Sequence, residues 1–139
     1  AQVRQRIILG TFSLSAGYSD QYYKRAQGIR AGLSRDLESV FEHMDVLLCP
    51  TAPTTAYRLG EFAKKGVGAY EDDIFTVPAS LAGLPALSLT CGQDQGGLPI
   101  GVQLIGKSMS EDVLLKVGRA YEAATEWHRI FEPGMPASA

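Results

Sequence analysis

The sequence predicts an α/β domain in which a mixed β-sheet is flanked by helices. Three patterns support this prediction: a long helical repeat of apolar residues before position 45, a short unbroken apolar run directly after it, and two segments of alternating polarity between positions 86 and 104. The chain has 139 residues, of which 45% are hydrophobic and 20% are charged. This length and composition are typical of one globular domain or of part of a larger one.

The composition argues against several classes of protein. The formal net charge is −2, from 13 basic and 15 acidic residues, whereas a nucleic-acid-binding domain normally carries a basic surface. No apolar run approaches the roughly 18 residues of a membrane span, and the first residues contain no signal-peptide core. Two cysteines, Cys49 and Cys91, are too few for a disulfide scaffold or a thiolate zinc site. We therefore expect a cytoplasmic protein in which both thiols pack in the core.

The opening segment, up to about Leu14, is apolar with Arg4 and Arg6 interleaved. This pattern fits either the end of a buried helix or an extended segment, and periodicity alone does not separate the two. The segment begins with Ala1 and has no capping residue, as expected for a chain cut inside a helix or for a processed N-terminus.

A long amphipathic helix is predicted over residues 20–44, with Ser19 as its N-cap and Asp20 in its first turn. Its apolar face recurs at steps of three and four residues. The face consists of Tyr22, Ala26, Ile29, Leu33, Leu37, Val40 and Met44. Residues 45–50 (DVLLCP) then place four apolar residues in a row, which predicts a buried, parallel strand.

The middle of the chain is predicted to be irregular. Two prolines within four positions, Pro50 and Pro53, argue against a regular element over 51–56. Several glycines and lysines mark 57–69 as a surface loop. Asp72 or Asp73 is expected to open a short helix that ends near Gly83, with Pro78 as a point of strain inside it.

The last third of the chain predicts a β-hairpin and a helix. Residues 86–91 and 100–104 alternate in polarity around a turn at 93–97. Ser110 is the predicted N-cap of the final helix. The core stripe of that helix is Leu114, Val117, Tyr121 and Ala124. The residues after Pro133 are small and polar, and we expect them to be frayed.

The residues alone do not assemble a complete active site. The chain has neither a Gly-x-Ser-x-Gly nucleophile elbow nor a phosphate-binding P-loop. His43 and His128 are far apart in sequence and lack acidic or thiol neighbours at ligand spacing, so surface positions on helices are the simplest interpretation. Cys49 and Cys91 lie in apolar strand patterns, which favours packing over nucleophilic catalysis.

Six sequence blocks together resemble the C-terminal part of the amidase signature family. The blocks are 6–11 (RIILGT), 17–23 (GYSDQYY), 45–53 (DVLLCPTAP), 73–78 (DIFTVP), 81–86 (LAGLPA) and 98–106 (LPIGVQLIG). The first two point to the branch of A subunits in tRNA-dependent amidotransferases, which serve glutamyl-tRNA(Gln) or aspartyl-tRNA(Asn). The resemblance implies that residues 1–133 are the C-terminal segment of an amidase-type domain whose catalytic N-terminal part is absent. Residues 134–139 are expected to form a flexible tail.

The resemblance also implies a reaction. Family members use a serine nucleophile, a second serine and a lysine from a glycine- and serine-rich upstream region that is absent here. No catalytic residue is therefore assigned, and the 139 residues alone are expected to be inactive. The intact subunit would hydrolyse glutamine and release ammonia. Amidotransferase subunits B and C would be its partners, ATP and magnesium would act on a partner subunit, and tRNA would be bound only through the complex.

Two residues match positions with which the tRNA-dependent branch holds glutamine as a zwitterion. Arg6 precedes the Ile-x-Leu-Gly block, and Asp73 precedes the apolar run before Pro78. A guanidinium can pair with an α-carboxylate through two parallel hydrogen bonds, and a carboxylate can accept from an α-ammonium group. Without the resemblance, Arg6 would be a helix-surface charge and Asp73 an N-cap. Asp72 is the main competitor for the role of Asp73.

Two other functions stay open. The chain could belong to a stand-alone amidase of the same family that acts on another amide. It could also be a non-catalytic binding module derived from such an enzyme. The identity of the amidated tRNA is not predicted.

Overall fold

The computed structural model describes residues 2–15, 18–61 and 71–131. The helices in this part of the chain are α1 (Gln2–Leu14), a π-helical turn (Ser19–Tyr23), α2 (Lys24–Val40), α3 (Val77–Ala82), α4 (Glu111–Ala124) and a 3-10 helix (Trp127–Phe131). The strands are β1 (Val46–Pro50), β2 (Ala86–Gln93) and β3 (Pro99–Gly106). The predicted tail at 134–139 and residues 62–69 of the predicted loop lie outside the described residues.

The three strands form one sheet in the order β1-β3-β2, and both pairings are antiparallel. The predicted hairpin is confirmed, since Ala86 pairs with Ile105 and Gln93 pairs with Pro99. The parallel pairing predicted for residues 45–50 is wrong, and the predicted mixed pairing is not found among the described strands. An apolar run reports burial but carries no information about strand direction.

The burial predicted for β1 is also only partly correct. Leu47 and Cys49 are half-buried, but Leu48 between them is 63% exposed. The strand lies at one edge of the described sheet, and its two faces differ. A continuous apolar run therefore did not indicate a strand that is covered on both faces.

Helices cover the two faces of the sheet. On one face Ile105 packs with Phe41, at the end of α2, and with Ala79 in α3. On the other face α4 packs against β2 and β3, where Gly118 lies close to Leu87. Side chains alternate along β3, so neighbouring residues of this strand point to opposite faces of the sheet. The central strand therefore contacts the helices on both faces.

Helix α3 is shorter than predicted. It begins at Val77 instead of Asp72 or Asp73, and residues 71–73 form a 3-10 turn. Pro78 is therefore in the first helical turn, where its missing N–H costs no helical hydrogen bond, so the predicted strain is absent. The predicted end is confirmed: Gly83 is left-handed with φ of 72° and the Leu84 N–H bonds the Ala79 carbonyl at 3.0 Å.

The first two helices expose much of their apolar surface. The opening segment, for which the sequence allowed a buried helix end or an extended segment, is the helix α1. Its apolar side chains from Val3 to Leu14 are mostly exposed. The predicted helix over 20–44 instead starts as a π-helical turn at Ser19–Tyr23, continues as α2 and ends at Val40. None of the residues in α2 is buried, and Ile29 on its apolar face is 66% exposed.

Helix α4 begins directly after Ser110, as predicted, but its predicted core stripe is only partly confirmed. Leu114 is buried and Tyr121 is half-buried, whereas Val117 and Ala124 are exposed. The Ser110 hydroxyl bonds the Lys107 carbonyl at 2.7 Å instead of capping the helix. No helix within the described ranges is long and apolar enough to cross a membrane.

Gly118 provides a test of the contact between α4 and the sheet. A Cβ atom at this position would lie 2.7 Å from Leu87 Cδ2 and 3.6 Å from Leu89 Cδ1. We expect Gly118→Val to lower the free energy of unfolding by about 1–3 kcal/mol through overpacking. The matched change Gly28→Val lies on exposed α2 with open space around it, and it should cost less than about 0.5 kcal/mol. Urea unfolding of both variants checks this, and equal midpoints would contradict it.

Candidate functional site

The candidate site lies where the chain leaves β1, and it is anchored by a buried amide in the central strand. Gln103 is 3% exposed. Its Nε2 donates to the Pro50 carbonyl at 3.1 Å and to the Phe75 carbonyl at 2.7 Å. One side chain of β3 thereby joins the end of β1 to the segment that precedes α3.

The loop that follows β1 is laid against the sheet. The Thr51 N–H donates to the Gly101 carbonyl at 3.0 Å, and the Thr51 and Ser88 hydroxyls lie 2.9 Å apart. A Cβ at Gly101 would lie only 3.0 Å from Thr51 Oγ1, so a larger residue at this position would crowd the Thr51 side chain. These contacts tie the start of the loop to both β3 and β2.

Asp94 anchors the same loop to the turn of the hairpin. Its Oδ2 accepts from the Thr55 hydroxyl at 2.7 Å, and its Oδ1 accepts from the N–H groups of Leu98 at 2.9 Å and Gly96 at 2.8 Å. These hydrogen bonds, with that from Thr55 the largest contribution, lower the pKa of Asp94. A single carboxylate therefore shapes the turn and fixes the loop.

A third connection joins the loop to the 3-10 turn at 71–73. The Tyr57 hydroxyl donates to Asp72 Oδ1, and the Thr54 hydroxyl donates to the Tyr57 oxygen at 3.4 Å. Tyr57 and Asp72 are both half-buried. Tyr57 was not predicted from the sequence, because the two residues are 15 positions apart and no motif links them.

Asp73 is exposed and lines an open cleft of about 530 Å³. The other lining residues are Glu71, Ile74, Val77 and Pro78. The Asp73 carbonyl accepts from the Thr76 N–H at 3.1 Å and from the Thr76 hydroxyl at 3.3 Å, which holds its backbone. Its carboxylate makes no hydrogen bond within the described residues. A cationic ligand group in the cleft could pair with this carboxylate.

Arg6 lies on the exposed surface of α1 and is not among the residues that line the Asp73 cleft. The structure therefore joins Asp72 to Tyr57 and places Asp73 on the neighbouring cleft, and Arg6 is not among the residues that line that cleft. It separates the two aspartates by environment, since Asp72 is half-buried and Asp73 is exposed. The pairing of Arg6 and Asp73 around a zwitterion stays a prediction.

The other residues considered from the sequence lie outside this site. His43 and His128 are exposed, as expected. Cys49 packs against the core cluster, and Cys91 is half-buried, with its Sγ 3.5 Å from the Ile100 carbonyl. Among the described residues, no group of three or more histidine, cysteine, aspartate or glutamate side chains could hold a metal ion.

Sequence comparisons place this chain beside one group of proteins. The family model described as Amidase matches residues 1–115. The glutamyl-tRNA(Gln) amidotransferase A subunit of Trichormus variabilis is 53% identical over 128 residues, which are 92% of this chain and 26% of that protein. The corresponding protein of Gloeothece citriformis is 51% identical over 133 residues, 96% of this chain and 28% of that protein. The chain thus spans about a quarter of the length of these relatives.

Solved structures agree with the sequence comparisons. The crystal structure of the glutamyl-tRNA(Gln) amidotransferase A subunit from Thermotoga maritima matches with a TM-score of 0.74 and 42% identity, over 89% of this chain and 27% of that chain. Allophanate hydrolase of Kluyveromyces lactis matches with a TM-score of 0.70 and 28% identity, over 88% of this chain and 19% of that chain. These matches confirm the predicted fold class.

Replacing Gln103 tests the anchor of the site. In Gln103→Leu the Pro50 and Phe75 carbonyls lose their amide donor, and a buried acceptor left unpaired costs about 1–3 kcal/mol. We expect the free energy of unfolding to fall by at least that amount in urea denaturation. Gln27→Leu on exposed α2 is the control and should change it by less than about 0.5 kcal/mol. Similar losses in both variants would show that the two hydrogen bonds contribute little.

Asp94 makes the stability of the loop depend on pH. Its folded-state pKa lies below the ordinary value of 3.8, so the ionised carboxylate stabilises the fold above that pH and this contribution is lost as the pH falls through the folded-state pKa. We expect Asp94→Asn to melt at a lower temperature than the wild type at pH 7. The difference should shrink steadily below about pH 4. A difference in melting temperature that is constant from pH 7 to pH 3 would rule out this linkage.

Proposed function

Since the chain belongs to the amidase family, whose model matches residues 1–115, we propose that it is the C-terminal segment of a glutamine-hydrolysing amidotransferase subunit. The observation that carries the proposal is 51–53% identity, over more than nine-tenths of this chain, to glutamyl-tRNA(Gln) amidotransferase A subunits. In that role the segment supplies part of the fold and of the substrate recognition, while the nucleophile comes from elsewhere in the intact subunit.

The proposed reaction is acyl transfer. In the intact subunit, a serine oxygen attacks the side-chain amide carbon of glutamine, and the C–N bond breaks as ammonia leaves with a proton. Water then hydrolyses the acyl-enzyme to glutamate and regenerates the serine. The ammonia is passed to a tRNA-bound glutamyl or aspartyl group, which is activated with ATP and magnesium on a partner subunit. Subunits B and C are the proposed partners, and the proposed location is the cytoplasm.

The local hydrogen bonding of four serines supports a nucleophile outside this segment. The Ser13 and Ser15 hydroxyls donate to backbone carbonyls of α1, at 2.9 and 2.7 Å. Ser80 bonds the Thr76 carbonyl at 3.4 Å, and the Ser88 hydroxyl lies against that of Thr51. A serine nucleophile needs an adjacent base, and these hydroxyls are committed to structural bonds instead. We therefore propose that the 139 residues alone do not hydrolyse glutamine.

The site proposed for the substrate uses Asp73 for the α-ammonium group and Arg6 for the α-carboxylate. Asp73 is supported by its exposed carboxylate on an open cleft. Arg6 is supported by its match to the family block and by the two-pronged geometry of a guanidinium. Together they would select an amino acid over a simple amide.

Substitution of these two residues tests the proposed function in the intact complex. If both contact glutamine, Arg6→Ala or Asp73→Asn removes a charge-assisted bond and leaves a substrate charge unpaired. We expect kcat/KM for glutamine to fall by an amount that corresponds to about 2–5 kcal/mol of lost transition-state stabilisation. Amidation driven by free ammonia should survive, since ammonia bypasses glutamine hydrolysis. Arg6→Lys should rescue poorly, because a point charge cannot reproduce two parallel hydrogen bonds.

Two outcomes would argue against the proposal. Glutamine-dependent rates within about twofold of the wild type, worth less than about 0.5 kcal/mol, would remove Arg6 and Asp73 from the substrate site. Faster hydrolysis of simple aliphatic or aromatic amides than of glutamine by the wild type would favour a stand-alone amidase. The control variant Asp72→Asn should lower the glutamine-dependent rate only slightly.

A further inference from the structure

We infer that Tyr57 is a positioning residue that determines which of two adjacent carboxylates faces the substrate. The inference rests on the proposed function, because it assumes that Asp73 contacts the α-ammonium group of glutamine. Asp72 and Asp73 have the same chemistry and differ by one position. The specificity of the site therefore depends on whatever fixes the rotation of the turn that carries them.

The geometry of the turn explains why its rotation determines which carboxylate points to the cleft. Residues 71–73 form a 3-10 turn, in which successive side chains point about 120° apart. The Tyr57 hydroxyl bonds Asp72 Oδ1 on the half-buried side of the turn. With Asp72 held there, the Asp73 side chain is directed to the open cleft that it lines with Ile74 and Val77.

Tyr57 can exert this control because its own position is set by the sheet. Its loop is fixed at Pro50 by Gln103, at Thr51 by Ser88 and at Thr55 by Asp94. The Thr54 hydroxyl donates to the Tyr57 oxygen, which leaves the hydroxyl proton of Tyr57 for Asp72.

The other end of the turn is held independently of Tyr57. Gln103 binds the Phe75 carbonyl, and Thr76 binds the Asp73 carbonyl through both its N–H and its hydroxyl. Loss of the Tyr57 hydroxyl should therefore remove one restraint on the orientation of the turn without detaching it from the sheet. The expected effect is on recognition of the ammonium group, with little effect on folding.

The test compares Tyr57→Phe with Tyr121→Phe in the intact subunit. Tyr121 is a half-buried tyrosine of α4, and its hydroxyl has no hydrogen bond among the described residues. For Tyr57→Phe we expect the KM for glutamine to rise about three- to tenfold, the scale of one hydrogen bond, with kcat nearly unchanged. The contact with the ammonium group persists from bound substrate to transition state, which is why KM should carry the effect.

A substrate analogue separates positioning from a general structural defect. The probe is 4-carbamoylbutanoate, which is glutamine without its α-ammonium group, used as a competitive inhibitor. Its inhibition constant should stay within about twofold of the wild-type value in Tyr57→Phe. In an Asp72→Ala background, Tyr57→Phe should raise KM by clearly less than it does in the wild type, because the bond that couples the two residues is already lost. Asp72→Asn keeps an acceptor oxygen and should rescue most of the glutamine KM.

The outcomes distinguish the inference from the proposed function. A parallel loss of affinity for glutamine and for the analogue, or a KM equal to that of Tyr121→Phe, would overturn the positioning role while leaving the proposed function intact. A wild-type subunit that does not turn over glutamine, or an Asp73→Asn subunit with unchanged KM, would overturn the proposed substrate site and the inference with it. Additive effects of Tyr57→Phe and Asp72→Ala would also contradict the inference.

Discussion

The buried amide of Gln103 is the interaction on which the arrangement of the site depends. It lies in the central strand β3, and its Nε2 donates both protons to backbone carbonyls, those of Pro50 and Phe75. These carbonyls belong to segments that share no strand pairing, so no backbone ladder could join them. In a buried setting such a pair of bonds is strong when made and costly when lost, which makes the geometry specific.

Near this amide, side-chain hydrogen bonds attach the loop after β1 to the sheet, where a regular strand would use backbone hydrogen bonds. Pro53 has no backbone N–H to donate, which disfavours a further strand in the loop after β1. Hydroxyl groups of Thr51 and Thr55 instead reach Ser88 and Asp94, and each bond attaches the loop to a different part of the hairpin. The threonine-rich composition of the loop is thus explained by its need for short side chains that can donate hydrogen bonds.

The sequence predicted the elements that depend on local pattern and missed those that depend on distant contacts. The hairpin, the end of α3 at Gly83 and the start of α4 were predicted because alternating polarity and the residue types at helix ends are local signals. The Ser110 hydroxyl nevertheless bonds Lys107 instead of capping α4. The direction of β1 depends on β3, which is more than fifty positions later. The bond from Tyr57 to Asp72 has no local signal either, whereas the family resemblance was needed to single out Asp73.

A residue that binds substrate must be held firmly through its backbone while its side chain stays available. Asp73 meets both conditions, because its carbonyl is bound by Thr76 and its exposed carboxylate lines the cleft. The neighbouring Asp72 has the opposite arrangement, with its carboxylate engaged by Tyr57. Two chemically equal neighbours therefore lie in different environments, since the side chain of Asp72 is bonded within the fold and the carboxylate of Asp73 is exposed on the cleft. Residues from β3 and from the loop after β1 hold the turn, so the exposure of Asp73 depends on the sheet as much as on the turn itself.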